Sequence, residues 1–173
     1  MEKVKLPNKV DPARCAQHGL AYQGVYAPAL MPRLAELTQG IHGDIDVSLN
    51  FGTDAQGLRL MTGNARVQVS LQCQRCNELL DTTIESEFTY MPVRANAPAP
   101  ELPEDYDIIE VDDVGEIDLV RLTEDELILS LPQIPAHDNE QCSLGQFDQS
   151  FGKLPTADER PNPFASLEAL KRK

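Results

Sequence analysis

Cys73-Gln74-Arg75-Cys76 sets two thiols three residues apart. At that spacing a tight turn lets both sulfurs grip one ion while the turn's backbone N–H groups offset their charge. His137 and Cys142 stand about sixty residues further on, with Asp138 and Asn139 between them. Cys73, Cys76, His137 and Cys142 together would form a Cys3His set, which zinc accepts in closed tetrahedral sites. The gap is longer than in a compact zinc finger. Cys73 also falls in phase with the apolar face of its strand, so a buried core thiol accounts for it as well. A thioredoxin-like role needs the pair at a helix N-terminus after a strand, and nothing here supplies that. His137 and Cys142 as base and nucleophile would lack an orienting third group. Cys15 reads as structural, and His18 and His42, each beside a glycine, read as loop residues.

The charge is unevenly spread. The chain has 173 residues with 28 Asp and Glu against 15 Lys and Arg, a formal charge of −13. Between 101 and 126 there are 12 acids against Arg121 alone, so this block holds −11 and the remainder is nearly balanced. A charge run of this kind is a solvated face or a docking surface for a basic protein. The candidates are Glu104, Asp105, Asp107, Glu110, Asp112, Asp113, Glu116 and Asp118. Carboxylates could also bind a divalent ion and activate water for RNA cleavage, although no EF-hand spacing is present. The first 33 residues carry +3. Lys3, Lys5, Arg14, Arg66, Arg75 and Arg94 are candidate contacts to RNA phosphates, and Lys171-Arg172-Lys173 ends the chain. An acidity of this size excludes a protein that coats nucleic acid broadly.

The elements that must position these residues follow from periodicity. Leu, Ile, Val and Phe make up 44 residues, enough for a sizeable core. No apolar run reaches the roughly 18–20 residues of a membrane-spanning helix. The N-terminus lacks a signal peptide's apolar core, so the chain reads as cytoplasmic, where thiols stay reduced. Asp11-Pro12 opens a short helix that Gly19 can close, and Ala29 to Thr38 adds a second amphipathic turn or two. From residue 44 the period is two. Ile45 to Phe51, Leu58 to Met61, Ala65 to Cys73 and Thr82 to Tyr90 read as strands, with Gly63-Asn64 as a tight turn between the second and third. Ile108, Ile109 and Val111 add a short strand. Asp118 caps a helix running to Leu131, where Pro132 ends it, and Asn162-Pro163 starts a last helix with Phe164, Leu167 and Leu170 on one face.

The expected fold is α+β. An antiparallel β-meander core carries short N-terminal helices, one central helix, a C-terminal helix and long irregular segments. The expected partition is a basic helical arm over 1–43, a sheet and central helix over 44–132 with the acidic insertion at about 101–126, and an irregular segment over 133–173.

Several segments carry a resemblance: Lys3-Val4-Lys5-Leu6-Pro7, Asp11-Pro12-Ala13-Arg14, Tyr22-Gln23-Gly24-Val25-Tyr26, Cys73-Gln74-Arg75-Cys76 and Met91-Pro92-Val93-Arg94. The run from Gly115-Glu116-Ile117-Asp118-Leu119 through Glu124-Asp125-Glu126-Leu127-Ile128-Leu129-Ser130-Leu131-Pro132 is the most specific. His137, Cys142, Pro161-Asn162-Pro163-Phe164-Ala165 and the basic end complete it. The chain resembles, from end to end, the bacterial YceD family of large ribosomal RNA subunit accumulation proteins. That resemblance implies a ribosome biogenesis factor for synthesis, processing or stability of 23S rRNA, with the large-subunit precursor, 23S rRNA or a basic ribosomal protein as partner. It carries no catalytic residue and no membrane role. The expectation is therefore a non-enzymatic assembly factor, with structural zinc its one candidate cofactor. Its alternatives are a metal-dependent RNA-processing hydrolase and a zinc- or thiol-responsive regulator built on Cys73 and Cys76.

Overall fold

The computed structural model describes residues 6–94, 106–138 and 142. Lys3, Lys5, Glu104, Asp105, the basic C-terminal end and the helix expected from Asn162 lie outside these residues.

Asp11 and Pro12 start a helix as their chemistry dictates. The Asp11 carboxylate accepts a hydrogen bond from the Arg14 N–H at 3.0 Å, and Pro12 occupies the first turn, where a missing N–H costs nothing. After a short strand β1 (Lys9–Val10), α1 (Pro12–Gln17) buries Cys15 and Ala16. β2 (Ala21–Tyr26) follows, then a 3-10 turn (Pro28–Leu30) and α2 (Pro32–Leu37), which buries Leu34. β2 was not legible from periodicity: Ala21 to Tyr26 shows only broken alternation, and its pairing with the next strand makes it a strand. The first 43 residues therefore contribute a strand to the sheet as well as helices.

Three long strands make the body: β3 (Gly40–Thr53), β4 (Arg59–Gln72) and β5 (Leu79–Arg94). They are antiparallel, in register Val47↔Ala65 and Ala65↔Ser86. The two short strands expected around Gly63-Asn64 are one continuous strand, β4. Gly63 serves close approach instead of a turn: a Cβ built on it would collide with Phe88 Cε2 and Cζ and lie 2.9 Å from Leu49 Cδ2. The Phe88 ring occupies the space that the missing side chain leaves, as aromatics do across a strand glycine. His42 likewise lies in β3, not in a loop. The register shifts there between His42 and Asp46, and Gly43 adopts a positive φ of 76°.

β6 (Asp107–Val111) joins the far edge, parallel to β5, so the five-stranded sheet runs β2-β3-β4-β5-β6 with one parallel pair at its end. Ile45, Val47, Leu49 and Phe51 on β3, with Met61, Ala65, Val67 and Val69 on β4, face the core, while Asp46, Asn50, Thr62, Arg66 and Gln68 face water. After β7 (Ile117–Asp118) comes α3 (Leu119–Leu129). Its N-cap Asp118 accepts from the Arg121 N–H at 3.0 Å. The Leu127 to Leu131 run is thus helical up to Leu129, and Leu119, Leu122, Thr123, Glu126 and Leu127 form the stripe that packs inward.

The N-terminal segment is tied to α3. β1 pairs with β7, the Asn8 carbonyl accepts from the Leu119 N–H at 2.8 Å, and Tyr26 donates its hydroxyl to the Pro7 carbonyl at 2.7 Å. No helix among the described residues is long and apolar enough to cross a membrane.

Candidate metal centre

β4 ends at Gln72 and β5 begins at Leu79, so Cys73 to Glu78 form the hairpin turn. The Cys73 N–H donates to the Glu78 carbonyl at 2.9 Å, and the Asn77 N–H returns to the Cys73 carbonyl at 2.9 Å. Asn77 takes the left-handed conformation, φ 61°, that closes the turn; Asn tolerates it better than most side chains. Cys73 and Cys76 thereby project together. The second pair arrives from beyond α3. The Pro135 carbonyl accepts from the Gln74 N–H at 2.8 Å, and the Arg75 guanidinium donates to the His137 carbonyl, which lays 135–137 along the hairpin.

The structure brings all four expected donors together. Their ligand atoms lie within 4.8 Å of one another. Cys73 Sγ is 3.3 Å from Cys142 Sγ. His137 Nδ1 is 3.5 Å from Cys76 Sγ and 3.4 Å from Cys142 Sγ. Tetrahedral zinc requires sulfur–sulfur edges of about 3.8 Å and sulfur–nitrogen edges of about 3.5 Å, given its usual bond lengths. These three edges lie within about half an ångström of those values. His137 Nε2 lies 3.1 Å from the Leu79 carbonyl. Because a carbonyl only accepts, Nε2 carries the proton, and the Nδ1 lone pair is left facing the sulfurs. Cys73 and Cys142 are buried, while Cys76 and His137 are partly exposed.

The electrostatics favour a bound cation. Burial opposes ionisation of Cys73, but the N–H groups of Cys76, Arg75 and His137 and the Cys142 thiol more than offset it, lowering Cys73 to about 5. Burial and the neighbouring Cys76 and Cys73 sulfurs push Cys142 up to about 11. Crowded sulfurs of this kind cannot all ionise without a positive charge between them. Four protein donors fill a tetrahedron and leave no position for water or substrate, which is the pattern of structural sites.

The arginine candidates do not converge. Arg66 stands on the wet face, directly opposite Asp46 on one neighbouring strand and Glu85 on the other, so its field is largely answered within the sheet. Arg14 lies on α1, which packs over the opposite, core-side face. Arg75 and Arg94 sit near the two ends of β5, about 50 Å apart at the rise of an extended strand.

The acidic residues divide into two groups. Asp112 accepts from Lys9 Nζ at 3.1 Å and from the Val114 and Glu116 N–H groups. Those N–H bonds and Lys9 hold its carboxyl below the usual range. Asp118 caps α3. Asp107, Glu110, Asp113 and Glu116 have no side-chain partner among the described residues. Two further acids of the block are internal, which sequence reasoning missed. Glu124 Oε1 accepts from the Arg33 and Leu34 N–H groups at 2.7 and 3.1 Å, and Arg33 Nε donates to Oε2 at 2.8 Å. Glu126 accepts from Ser86 Oγ at 2.8 Å and from the Tyr90 hydroxyl at 2.5 Å. Burial and this carboxylate raise Tyr90 above the ordinary tyrosine range. The available signal was position: Glu126 falls seven residues after Leu119, on the inward stripe of α3.

Fold and site define a class: a small α+β protein whose sheet ends in a Cys3His cluster of the metal-holding type. Residues 61–171 match the model of the family described as Large ribosomal RNA subunit accumulation protein YceD. The chain is 48% identical over 174 residues to the Large ribosomal RNA subunit accumulation protein YceD of Haemophilus influenzae, covering 100% of both chains. No solved structure matches. The chain belongs to the YceD family.

Proposed function

We propose that this protein promotes accumulation of 23S ribosomal RNA as a cytoplasmic, non-enzymatic factor that binds precursors of the large ribosomal subunit or their proteins. The observation that carries this reading is the end-to-end 48% identity to a protein named for accumulation of the large ribosomal RNA subunit. The distribution of charge supports the protein-binding part. The side chains of Asp107, Glu110, Asp113 and Glu116 have no hydrogen-bond or ion-pair partner among the described residues, whereas the arginines are scattered or opposed by acids. A basic protein, more than bare RNA, fits that surface. In this reading the Cys3His cluster holds zinc, which fastens the segment after α3 to the β4–β5 hairpin.

The test is co-sedimentation with precursor particles from cells limited in large-subunit assembly. Wild-type protein should migrate with the precursors. Replacing Asp107, Glu110, Asp113 and Glu116 by their amides should release it, and unchanged migration would remove the docking role.

One observation favours a second reading, a thiol-responsive regulator: Cys73 and Cys142 sulfurs are already 3.3 Å apart. Elemental analysis of protein purified under reducing conditions separates the two. About one equivalent of zinc supports the structural centre, and reduced thiols without metal support the switch.

A further inference from the structure

The acidic edge has a shape as well as a charge. β6 is the last strand of its sheet, paired through Tyr90↔Asp107 to Arg94↔Val111 on one side, and no described strand lies on its other side. In a parallel ladder the N–H and C=O groups of successive residues point alternately to the two sides, so roughly half of those on β6 face outward without a strand partner. Beside this edge, between β6 and α3, runs a cleft of about 500 Å3. Ile109, Val111, Ile117 and Leu122 give it an apolar lining, and it holds five carboxylates against two cations, Lys9 and Arg121. Lys9 is already paired with Asp112. On the opposite side of the strand Ile108 is 42% exposed, and the Glu110 carboxylate, at the rim of the cleft, has no hydrogen-bond or ion-pair partner among the described residues.

We propose that this edge and cleft form a strand-addition site for an extended, Lys/Arg-rich protein segment with apolar residues at alternate positions. The proposal deepens the docking reading above and rests on it. A strand laid along β6 would complete the outward backbone hydrogen bonds. Its period of two would drop every second side chain onto Ile109, Val111 and Leu122, and would carry the basic ones past Glu110 and Glu116. The sign of the charge selects among occupants. A nucleic acid backbone is repelled. A second copy of this chain would set one acidic β6 against another, and like charges directly opposite destabilise a strand pair. A basic segment meets neither obstacle.

The experiment uses the full chain and three nine-residue peptides: one alternating Lys with Val, one of the same length and charge with Pro replacing every second Val, and one with Glu for Lys. Binding is read by fluorescence anisotropy, and hydrogen exchange of the 107–111 amides is followed in parallel. The Lys/Val peptide should bind and slow exchange within 107–111. The Pro peptide, unable to donate to the edge, should bind at least about tenfold more weakly, and the Glu peptide should not bind. E110K together with E116K, with folding checked by thermal melt, should weaken the Lys/Val peptide by at least about tenfold as well. Equal binding of the Lys/Val and Pro peptides, binding without slowed exchange at 107–111, or no binding at all would each overturn the site. Should the peptide fail while the wild-type protein still co-sediments with precursors and the amide variant does not, this groove is wrong and the docking reading survives. Loss of both would remove the docking reading itself.

Discussion

Breaking the Cys3His cluster should cost the protein much of its thermal stability, by an amount that follows from chain length. Bridging Cys73 to Cys142 spans 69 residues. A cross-link closing a loop of that length stabilises by about 4 kcal/mol on chain-entropy grounds, a figure derived for disulfides and applicable to a metal bridge of similar reach. For a chain of this size 1 kcal/mol moves the melting temperature by about 3 °C, so losing the bridge corresponds to about 10–15 °C. C142S removes one donor and leaves Cys73, Cys76 and His137 as an incomplete cluster. The assay is calorimetry of full-length protein, zinc-loaded and chelator-treated, alongside C142S and the control C15S. Wild type and C15S should both lose about 10–15 °C on chelation, whereas C142S should already melt low and respond little to chelator. Superimposable melts of zinc-loaded and chelated wild type, or a C142S protein melting with the wild type, would refute the argument that the bridge is structural.

Three further outcomes follow from other contacts. E124A strands the Arg33 and Leu34 N–H groups and leaves the Arg33 guanidinium with Asp125 alone; because Arg33 is 45% exposed, the cost should be about 2–3 kcal/mol, less than for a fully buried pair, measured by urea unfolding. G63A should destabilise by about 1–3 kcal/mol through overpacking against Phe88, and F88L in the same chain should recover part of the loss, a coupling read from the double-mutant cycle. Asp112 is held below the usual carboxylate range by the Glu116 N–H first and by Lys9 second. Its stabilisation is therefore present above the ordinary Asp value of about 3.9 and is lost as pH falls through the lower folded value. A carboxyl NMR titration should show K9M raising the Asp112 midpoint only in part, and a midpoint unmoved by K9M would contradict the Lys9 contact.

Period-two alternation made the sheet legible from Ile45 to Tyr90, and caps at Asp11 and Asp118 made α1 and α3 legible, because both signals are local. The candidate metal donors were recognisable by type, but only folding shows that His137 reaches the hairpin. That meeting is secured by backbone bonds such as Gln74 to Pro135, which leave no trace in spacing. β2 and the continuity of β4 through Gly63 escaped for the same reason: a partner strand holds one, and a ring from another strand fills the gap in the other. The acidic block read as a uniform surface because composition sums charge without direction. Glu124 and Glu126 point inward, Asp118 bonds locally, Asp112 bonds both locally and to Lys9, and a smaller set faces water.

The ties between the N-terminal segment and α3 also fix an order of events at synthesis. Lys9 and Val10 leave the ribosome first, yet their strand partners are Asp118 and Ile117, and Arg33 finds its carboxylate only when Glu124 has emerged. At about 5–20 residues per second the opening segment waits some seconds for its place, while the β3–β4–β5 hairpins can already pair. An aborted chain ending before β7 therefore leaves both its β1 edge and its Arg33 unclaimed.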